Sequence, residues 1–132
     1  MDYLREHDLD GVDLDIEGYA LGLANFNTFA QQIADSVHAA GLQISAAFAI
    51  GYQNVDANYV SDATLQKMDF ISTMSYGGVG DWNYDQPSDQ FPLSMLQSDI
   101  SYWNLRGVNA NQILGGLPFY AAEFPMSPQS TY

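Results

Sequence analysis

The chain has 132 residues, 47% of them hydrophobic, which is enough for a single globular domain with one core. It carries 16 acidic and three basic residues, and its formal net charge of -13 disfavours nucleic acids and anionic membranes, which attract lysine and arginine. The absence of cysteine excludes disulfides, thiolate metal sites and cysteine nucleophiles. A neutral molecule is therefore the expected partner, and no motif predicts a metal or another cofactor.

The amino terminus reads MDYLREHDLD, which is charged and lacks the apolar run of a signal peptide. No stretch of the sequence approaches the length of a membrane span. The sequence therefore predicts no membrane partner, and we expect no targeting signal within the residues given.

Acidic and aliphatic residues alternate in the segment DGVDLDIEG, which runs from Asp10 to Gly18. Because successive side chains of a strand point to opposite faces, this alternation predicts a strand with one acidic and one aliphatic face. A helix would scatter the same residues around its circumference and leave no apolar stripe. The acids of the first face are Asp13, Asp15 and Glu17.

Helical and strand patterns alternate along the rest of the chain. The predicted elements are a helix over Phe26–Ala40, a strand over Leu42–Ile50, a short helix over Asp62–Lys67, a strand over Phe70–Tyr76, a helix from Leu93 that ends at Gly107, and a strand that ends near Pro118. Strict alternation implies right-handed βαβ units and a parallel sheet. An active face is expected at the carboxyl ends of the strands.

The two long helices carry apolar residues at helical spacing, which we expect to face the sheet. In the first helix these residues are Phe26, Phe29, Ile33 and Val37, with Ala30 and Ala34 between them. In the second they are Leu93, Leu96, Ile100 and Trp103.

Three motifs resemble those of glycoside hydrolase family 18, the chitinases and their relatives. The segment Asp10–Glu17 resembles the DGxDxDxE signature on barrel strand four, Met74–Tyr76 the start of the MxYD motif on strand six, and Gly116–Tyr120 the strand-seven segment. The resemblance implies an α/β fold, the (β/α)8 TIM barrel, with only strands four to seven present, because a whole barrel needs about 250 residues. Residues 1–132 are thus predicted to be a carboxyl-terminal portion of an incomplete catalytic domain, and the resemblance implies secretion.

The sequence departs from the family pattern at two places. Gly77 stands where the MxYD motif ends in aspartate, and the strand-eight tryptophan that floors the sugar site has no counterpart. Four strands without closure leave sheet edges uncovered, so we expect the isolated chain to self-associate and to be a poor enzyme by itself.

The resemblance implies hydrolysis of β-1,4-linked N-acetylglucosamine, as in chitin, by a retaining mechanism in which the substrate assists. Glu17 would be the general acid and base, Asp15 would orient the acetamido group, Asp13 would pair with Asp15, and Tyr76 would donate its hydroxyl to the acetamido oxygen. If the acidic face is buried, one carboxyl group must stay protonated, as a general acid requires. The predicted substrate contacts are Met74, Trp82, Phe119 and Tyr120, although Phe119 suits core packing equally well.

Four other interpretations are open. A non-hydrolytic chitin-binding lectin of the same fold is one, although in such relatives the acid corresponding to Glu17 is commonly lost. An endo-β-N-acetylglucosaminidase acting on glycoprotein glycans is another. The segment Glu6–Glu17 has the outline of an EF-hand calcium loop, but its first position is glutamate and no exit helix follows. Finally, the acids could simply be solvated on an exposed strand face, which the scarcity of aspartate in strands disfavours.

Overall fold

The structure, a computed structural model, describes residues 2–51, 55–77 and 89–120. Within these ranges the chain forms one four-stranded sheet in which each strand lies parallel to the preceding one. The strands are β1 (Gly11–Asp15), β2 (Gln43–Ala49), β3 (Phe70–Met74) and β4 (Ile113–Gly115). The predicted parallel α/β arrangement is therefore confirmed, with strands that are shorter than the sequence pattern indicated.

A helix follows each of the first three strands, and a further short helix precedes β1. The helices are α1 (Asp2–Glu6), α2 (Phe26–Ala39), α3 (Asp62–Leu65) and α4 (Leu93–Leu105). Single 3₁₀ turns, which the sequence pattern did not predict, are Gly18–Gly22, Val55–Tyr59 and Ala110–Gln112. None of the helices in the described part of the chain is long and apolar enough to span a membrane.

The core lies between the helices and the aliphatic face of the sheet. Register places Leu14 of β1 beside Ala46 of β2, and Ala46 beside Ile71 of β3, so that aliphatic side chains form rows across the strands. All three are buried, together with Ile44 and Phe48 on the same face of β2. Burying apolar surface in this way is the main favourable term in folding. It also leaves the acidic residues of β1 on the opposite face.

The buried side of α2 is narrower than predicted. Its buried residues are Phe26, Ala30, Ala34 and Val37. Phe29, which was predicted to face the sheet, is 44% exposed, so that part of the prediction is wrong. Alanine lets the helix approach the sheet closely, so Phe29 lies on the flank, where it lines an apolar groove with Ile16 and Leu23.

The predicted buried stripe of α4 is wrong in part as well. Its buried residues are Met95, Asp99 and Trp103, spaced one turn apart, whereas Leu93 is 65% exposed. The rings of Trp103 and Phe48 are stacked with their centroids 5.4 Å apart, and Asp99 accepts hydrogen bonds in the core. These contacts turn α4 so that the Met95 row, rather than the Leu93 row, faces the sheet.

The acidic face of β1 is not buried in this chain, contrary to the assumption made from the sequence. Asp13, Asp15 and Glu17 are all exposed. The four strands form an open sheet, so within the described ranges no opposing strands cover this face. The argument that burial keeps one of these carboxyl groups protonated therefore does not apply to the chain by itself.

Candidate functional site

The predicted site residues gather at the carboxyl edge of the sheet. Because all four strands are parallel, their carboxyl ends lie along the same edge. Asp15 is the last residue of β1 and Met74 the last residue of β3. Glu17 and Tyr76 each follow two residues later on the chain. The edge thus carries residues from two of the three motifs that the sequence singled out.

The sequence pattern indicated that Glu17 is the last residue of the strand. In the structure Glu17 lies two residues beyond the end of β1. Its backbone is extended, with φ −124° and ψ 165°, and it immediately precedes the 3₁₀ turn Gly18–Gly22. Gly18 has a φ of 62°, in the left-handed region that glycine adopts most readily. The chain turns there, which leaves the Glu17 carboxylate exposed at the edge of the sheet.

Asp13 lies two residues before Asp15 on β1, and a hydrogen bond from β2 holds its side chain. Its register partner is Ser45 of β2, and the Ser45 hydroxyl donates a hydrogen bond to Asp13 Oδ1. Ser45 is buried, whereas Asp13 is exposed. Sequence reasoning missed Ser45, because the register between β1 and β2 cannot be deduced from either strand alone.

Tyr76 lies close enough to the acids of the site to be influenced by their charges. Burial, the largest cause, raises the pKa of the Tyr76 hydroxyl, and electrostatic repulsion of its ionised form by Tyr120, Glu17 and Asp15 adds to this effect. The rings of Tyr76 and Tyr120 meet edge to face, with centroids 6.1 Å apart. The Tyr76 hydroxyl therefore stays protonated and available as a hydrogen-bond donor beside two carboxylates.

Gly116 makes room for the Tyr76 ring. A Cβ atom at Gly116 would lie 3.0 Å from Tyr76 Cε1 and 2.5 Å from the carbonyl oxygen of Thr73. The Gly116 amide donates to that same carbonyl oxygen at 2.8 Å. The glycine that begins the third motif thus lets the chain after β4 pass close to β3 and its tyrosine.

The residues predicted to contact substrate differ in their exposure and surroundings. Met74 is half-buried at the end of β3, and Tyr120 is exposed beside Tyr76. Phe119 is 99% exposed, so core packing is wrong for this residue, and its contact with a sugar stays a prediction. Trp82 lies outside the described residues.

Asp99 of α4 is a second residue that sequence reasoning missed. It is fully buried, and its carboxylate accepts hydrogen bonds from residues that follow β2 and β3. Its one signal in the sequence is its place midway between Met95 and Trp103, four residues from each. Because aspartate is rarely buried without partners, that signal alone does not predict a core position.

The EF-hand interpretation fails on geometry. Gly11–Asp15, which would form the middle of the calcium loop, is a regular strand paired with β2. An EF-hand loop instead wraps its oxygens around the ion. Among residues 2–51, 55–77 and 89–120, no group of three or more His, Asp or Glu side chains is arranged to hold a metal ion.

Comparison with known proteins agrees with the motifs. The family model of "Glycosyl hydrolases family 18" matches residues 1–131. "Probable chitinase 10" of Drosophila melanogaster is 23% identical over 96% of this chain and 6% of that protein. "Probable endochitinase" of Caenorhabditis elegans is 26% identical over 97% of this chain and 24% of that protein. The chain thus spans at most about a quarter of the length of these two relatives.

Solved structures agree on the fold. The chitinase ChiB of Flavobacterium johnsoniae superposes with a TM-score of 0.74 at 20% identity, over 85% of this chain and 35% of that one. A chitinase of Chromobacterium violaceum superposes with a TM-score of 0.73 at 26% identity, over 89% of this chain and 38% of that one.

These likenesses confirm that the four-stranded parallel sheet is part of a (β/α)8 barrel. Its assignment to strands four to seven, in the carboxyl-terminal portion of a catalytic domain, stays a prediction. The acidic strand, the tyrosine after β3 and the glycine after β4 all lie within the matched residues. The chain belongs to the glycosyl hydrolases of family 18.

Proposed function

We propose that the protein is a glycosidase that cleaves β-1,4-linked N-acetylglucosamine polymers such as chitin, with Glu17 as general acid and base. The observation that carries this proposal is that Asp15, Glu17 and Tyr76 lie at the carboxyl edge of one parallel sheet, with the tyrosine close enough to the two carboxylates for them to raise its pKa. A hydrogen-bond donor beside two carboxylates at an open sheet edge suits a sugar that carries an acetamido group.

The reaction proceeds in two steps with retention of configuration. In the first, the acetamido carbonyl oxygen attacks the anomeric carbon while Glu17 gives its proton to the glycosidic oxygen, and the bond to the leaving sugar breaks. The products of this step are an oxazolinium ion and a Glu17 carboxylate. In the second, water attacks the anomeric carbon and gives a proton to Glu17, while the bond from that carbon to the acetamido oxygen breaks, which restores both the acetamido group and the Glu17 acid. The Glu17 carboxyl group therefore serves as both acid and base, and no second carboxylate is needed as nucleophile.

The neighbours of Glu17 assist the acetamido group. Tyr76 donates its hydroxyl to the acetamido oxygen, which directs that oxygen towards the anomeric carbon. The Asp15 carboxylate orients the acetamido N–H and stabilises the positive charge that develops on the oxazolinium ion. Asp13, held by Ser45, supports Asp15 from one residue pair deeper in the sheet.

The names of the relatives and the charge of the chain support the proposed substrate class. The relatives of D. melanogaster and C. elegans carry the name chitinase, and a solved structure similar to this chain is a class V chitinase in complex with NAG4. A neutral sugar polymer suits a protein with a formal net charge of -13. Met74, Trp82, Phe119 and Tyr120 are the proposed sugar contacts, because the apolar faces of sugar rings suit aromatic and apolar surfaces.

A chitin-binding lectin of the same fold is the second candidate, because the structures of a similar protein were solved in the presence of chitooligosaccharides. "Chitinase-3-like protein 2" of Homo sapiens is 22% identical over 98% of this chain and 38% of that protein. The structures of YKL-39, which were solved in the presence of chitooligosaccharides, have the same fold with a TM-score of 0.66. A lectin would bind the same oligosaccharides without cleaving them, so one assay separates the two functions.

The test is cleavage of N-acetylglucosamine hexamers by the original protein, by Glu17→Gln and by Glu6→Gln, with this chain if it folds by itself and with its completed barrel if it does not. Glutamine keeps the size of the side chain but has no proton to give, so the rate should fall by about 10²- to 10⁴-fold in Glu17→Gln. Glu6 is an exposed residue at the end of α1, so Glu6→Gln should leave the rate unchanged. The first products should be β-anomers by proton NMR. Binding without cleavage by the unmodified protein would favour the lectin.

A further inference from the structure

Asp99 is a fully buried carboxylate in the middle of α4. One of its oxygens, Oδ1, accepts a hydrogen bond from the backbone amide of Gly51 at 2.6 Å, and Oδ2 accepts one from the Ser75 hydroxyl at 2.7 Å. Removing a carboxylate from water is costly, and donors of this kind are what make the burial tolerable. The cost of burying this carboxylate indicates that Asp99 has a role that an aliphatic side chain could not fill.

The two donors lie at the carboxyl ends of neighbouring strands. Ser75 is the first residue after β3, and Gly51 is the second residue after β2. Gly51 is confined as well, because a Cβ atom there would lie 2.3 Å from a ring carbon of Tyr102. Asp99 therefore ties α4 to the edge of the sheet that carries the candidate active site.

The connection from Asp99 to Tyr76 is short. The Ser75 hydroxyl also lies 2.8 Å from the hydroxyl of Thr73, so its position is defined from two sides. The Tyr76 amide donates to the Met74 carbonyl oxygen at 2.8 Å, which closes a three-residue turn centred on Ser75. The Ser75 side chain thus contacts α4, whereas Tyr76, the next residue, lies within the electrostatic influence of the acids at and just after the end of β1.

We propose that Asp99 is a positioning residue of the active site, which acts through Ser75 to hold Tyr76 beside Asp15 and Glu17. The catalytic part of this inference rests on the proposed function, but the positioning can be measured without activity. Asp99 touches no substrate in this scheme. It sets the turn after β3 and with it the direction of the Tyr76 hydroxyl.

The Tyr76 hydroxyl reports its own position, since its pKa is raised by burial and by electrostatic repulsion from Tyr120, Glu17 and Asp15. We would titrate protein labelled with ¹³C at the tyrosine Cζ and assign the Tyr76 resonance with Tyr76→Phe. Ser75→Ala removes the hydroxyl that Asp99 holds. Ser101→Ala is the matched control, because Ser101 lies exposed on α4, the helix that carries Asp99. Its hydroxyl donates to the Gln97 carbonyl oxygen at 2.8 Å.

We expect the titration midpoint of the Tyr76 hydroxyl to move down towards that of free tyrosine in Ser75→Ala and in Asp99→Ala. The midpoint should stay unchanged in Ser101→Ala. Asp99→Asn keeps an oxygen for the Gly51 amide and an amide group that can donate to Ser75, so it should restore most of the original midpoint. An unchanged midpoint in folded Ser75→Ala would overturn the proposal. If Asp99→Ala does not fold, Ser75→Ala decides the question by itself.

Kinetics separate this inference from the proposed function. If both are right, Ser75→Ala lowers kcat for oligosaccharide cleavage about tenfold and leaves KM nearly unchanged, because a displaced group weakens the transition state more than substrate binding. A midpoint that moves in a protein without hydrolytic activity would support the positioning and reject the proposed function. A midpoint that does not move in an active enzyme would reject the positioning alone.

Discussion

The hydroxyl of Ser45 donates a hydrogen bond to the carboxylate of Asp13, its register partner across β1 and β2. Asp13 is exposed and Ser45 is buried, so a buried hydroxyl of β2 holds the exposed acid of β1 on the same face of the sheet. The contact joins the acidic motif to a strand whose sequence, QISAAFA, shows no sign of a functional role. It therefore gives β2 a part in arranging the acids of β1.

We expect Ser45→Ala to lower the free energy of unfolding by about 1 kcal/mol, because it removes one hydrogen bond to a charged group. It should also reduce hydrolytic activity, because Asp13 loses its partner. Ser72 lies on the same face of β3 and is half-buried, so Ser72→Ala is the matched control for both effects. Urea denaturation and the oligosaccharide assay would measure them. Equal behaviour of the two variants would contradict the role given to Ser45.

The sequence predicted the strands and the order of the elements, because the information for them is local. Alternation along β1 places Leu14 in the core and the acids on the other face, and the structure agrees. The bounds of α2 were predicted to within one residue. Family resemblance, which depends on three short motifs, placed Tyr76 near Asp15 and Glu17, and the electrostatic influence among these residues is consistent with that placement.

What the sequence could not predict depends on contacts between distant segments. Asp99 is buried because Gly51 and Ser75, 48 and 24 residues away along the chain, supply donors. The same contacts rotate α4 and expose Leu93, against the apolar pattern of the helix. The exposure of the β1 acids likewise depends on whether further strands close the sheet, which no local pattern reports.

Gly77, which stands where the family motif has aspartate, has a φ of 83°. A residue with a Cβ atom in this left-handed region costs roughly 1–2 kcal/mol, and asparagine tolerates it better than most. Gly77→Asp should therefore lower the free energy of unfolding by about that amount, and Gly77→Asn should lower it less. Urea denaturation of the two variants measures the difference. A Gly77→Asp variant as stable as the original chain would show that the turn can adopt another conformation.

Asp69 gives the stability of the protein a component that depends on pH. Burial, the largest influence, raises the pKa of its carboxyl group, but the Ile44 amide and the hydrogen bond and charge of His38 together bring that pKa below its ordinary value. The folded state then binds fewer protons than the unfolded state, so the contribution is fully present above the unfolded pKa of about 3.9. It is lost as the pH falls through the lower, folded value.

We expect Asp69→Asn to flatten the fall in unfolding free energy at pH values below about 4, relative to the original chain. The exposed Asp2 supplies the control, and Asp2→Asn should keep the original profile. Because Asp69 and His38 are both partly exposed, added salt should reduce the effect of Asp69→Asn. Profiles of Asp69→Asn and the original chain that run parallel through the acid range would contradict the assignment.

The sheet has two edges that are unpaired within the described ranges, β1 on one side and β4 on the other. Unpaired edges and an uncovered sheet face favour association with further chains. We therefore expect this chain by itself to form dimers or larger aggregates in size-exclusion chromatography with light scattering. A sharp monomer peak together with cooperative thermal unfolding would contradict that expectation.

The central claim is that Glu17 protonates the leaving group, and the most direct test compares two leaving groups. A phenolic leaving group needs less protonation than a sugar hydroxyl, so Glu17→Gln should slow cleavage of an aryl N-acetylglucosamine oligomer less than cleavage of the natural oligomer. Asp15→Asn should slow both, because the acetamido group must be oriented whichever group departs. We predict a loss of at least about 10²-fold on the natural bond in Glu17→Gln, and a clearly smaller loss on the aryl bond. Equal losses on the two substrates, or an unchanged rate on the natural one, would contradict the role of Glu17 as general acid.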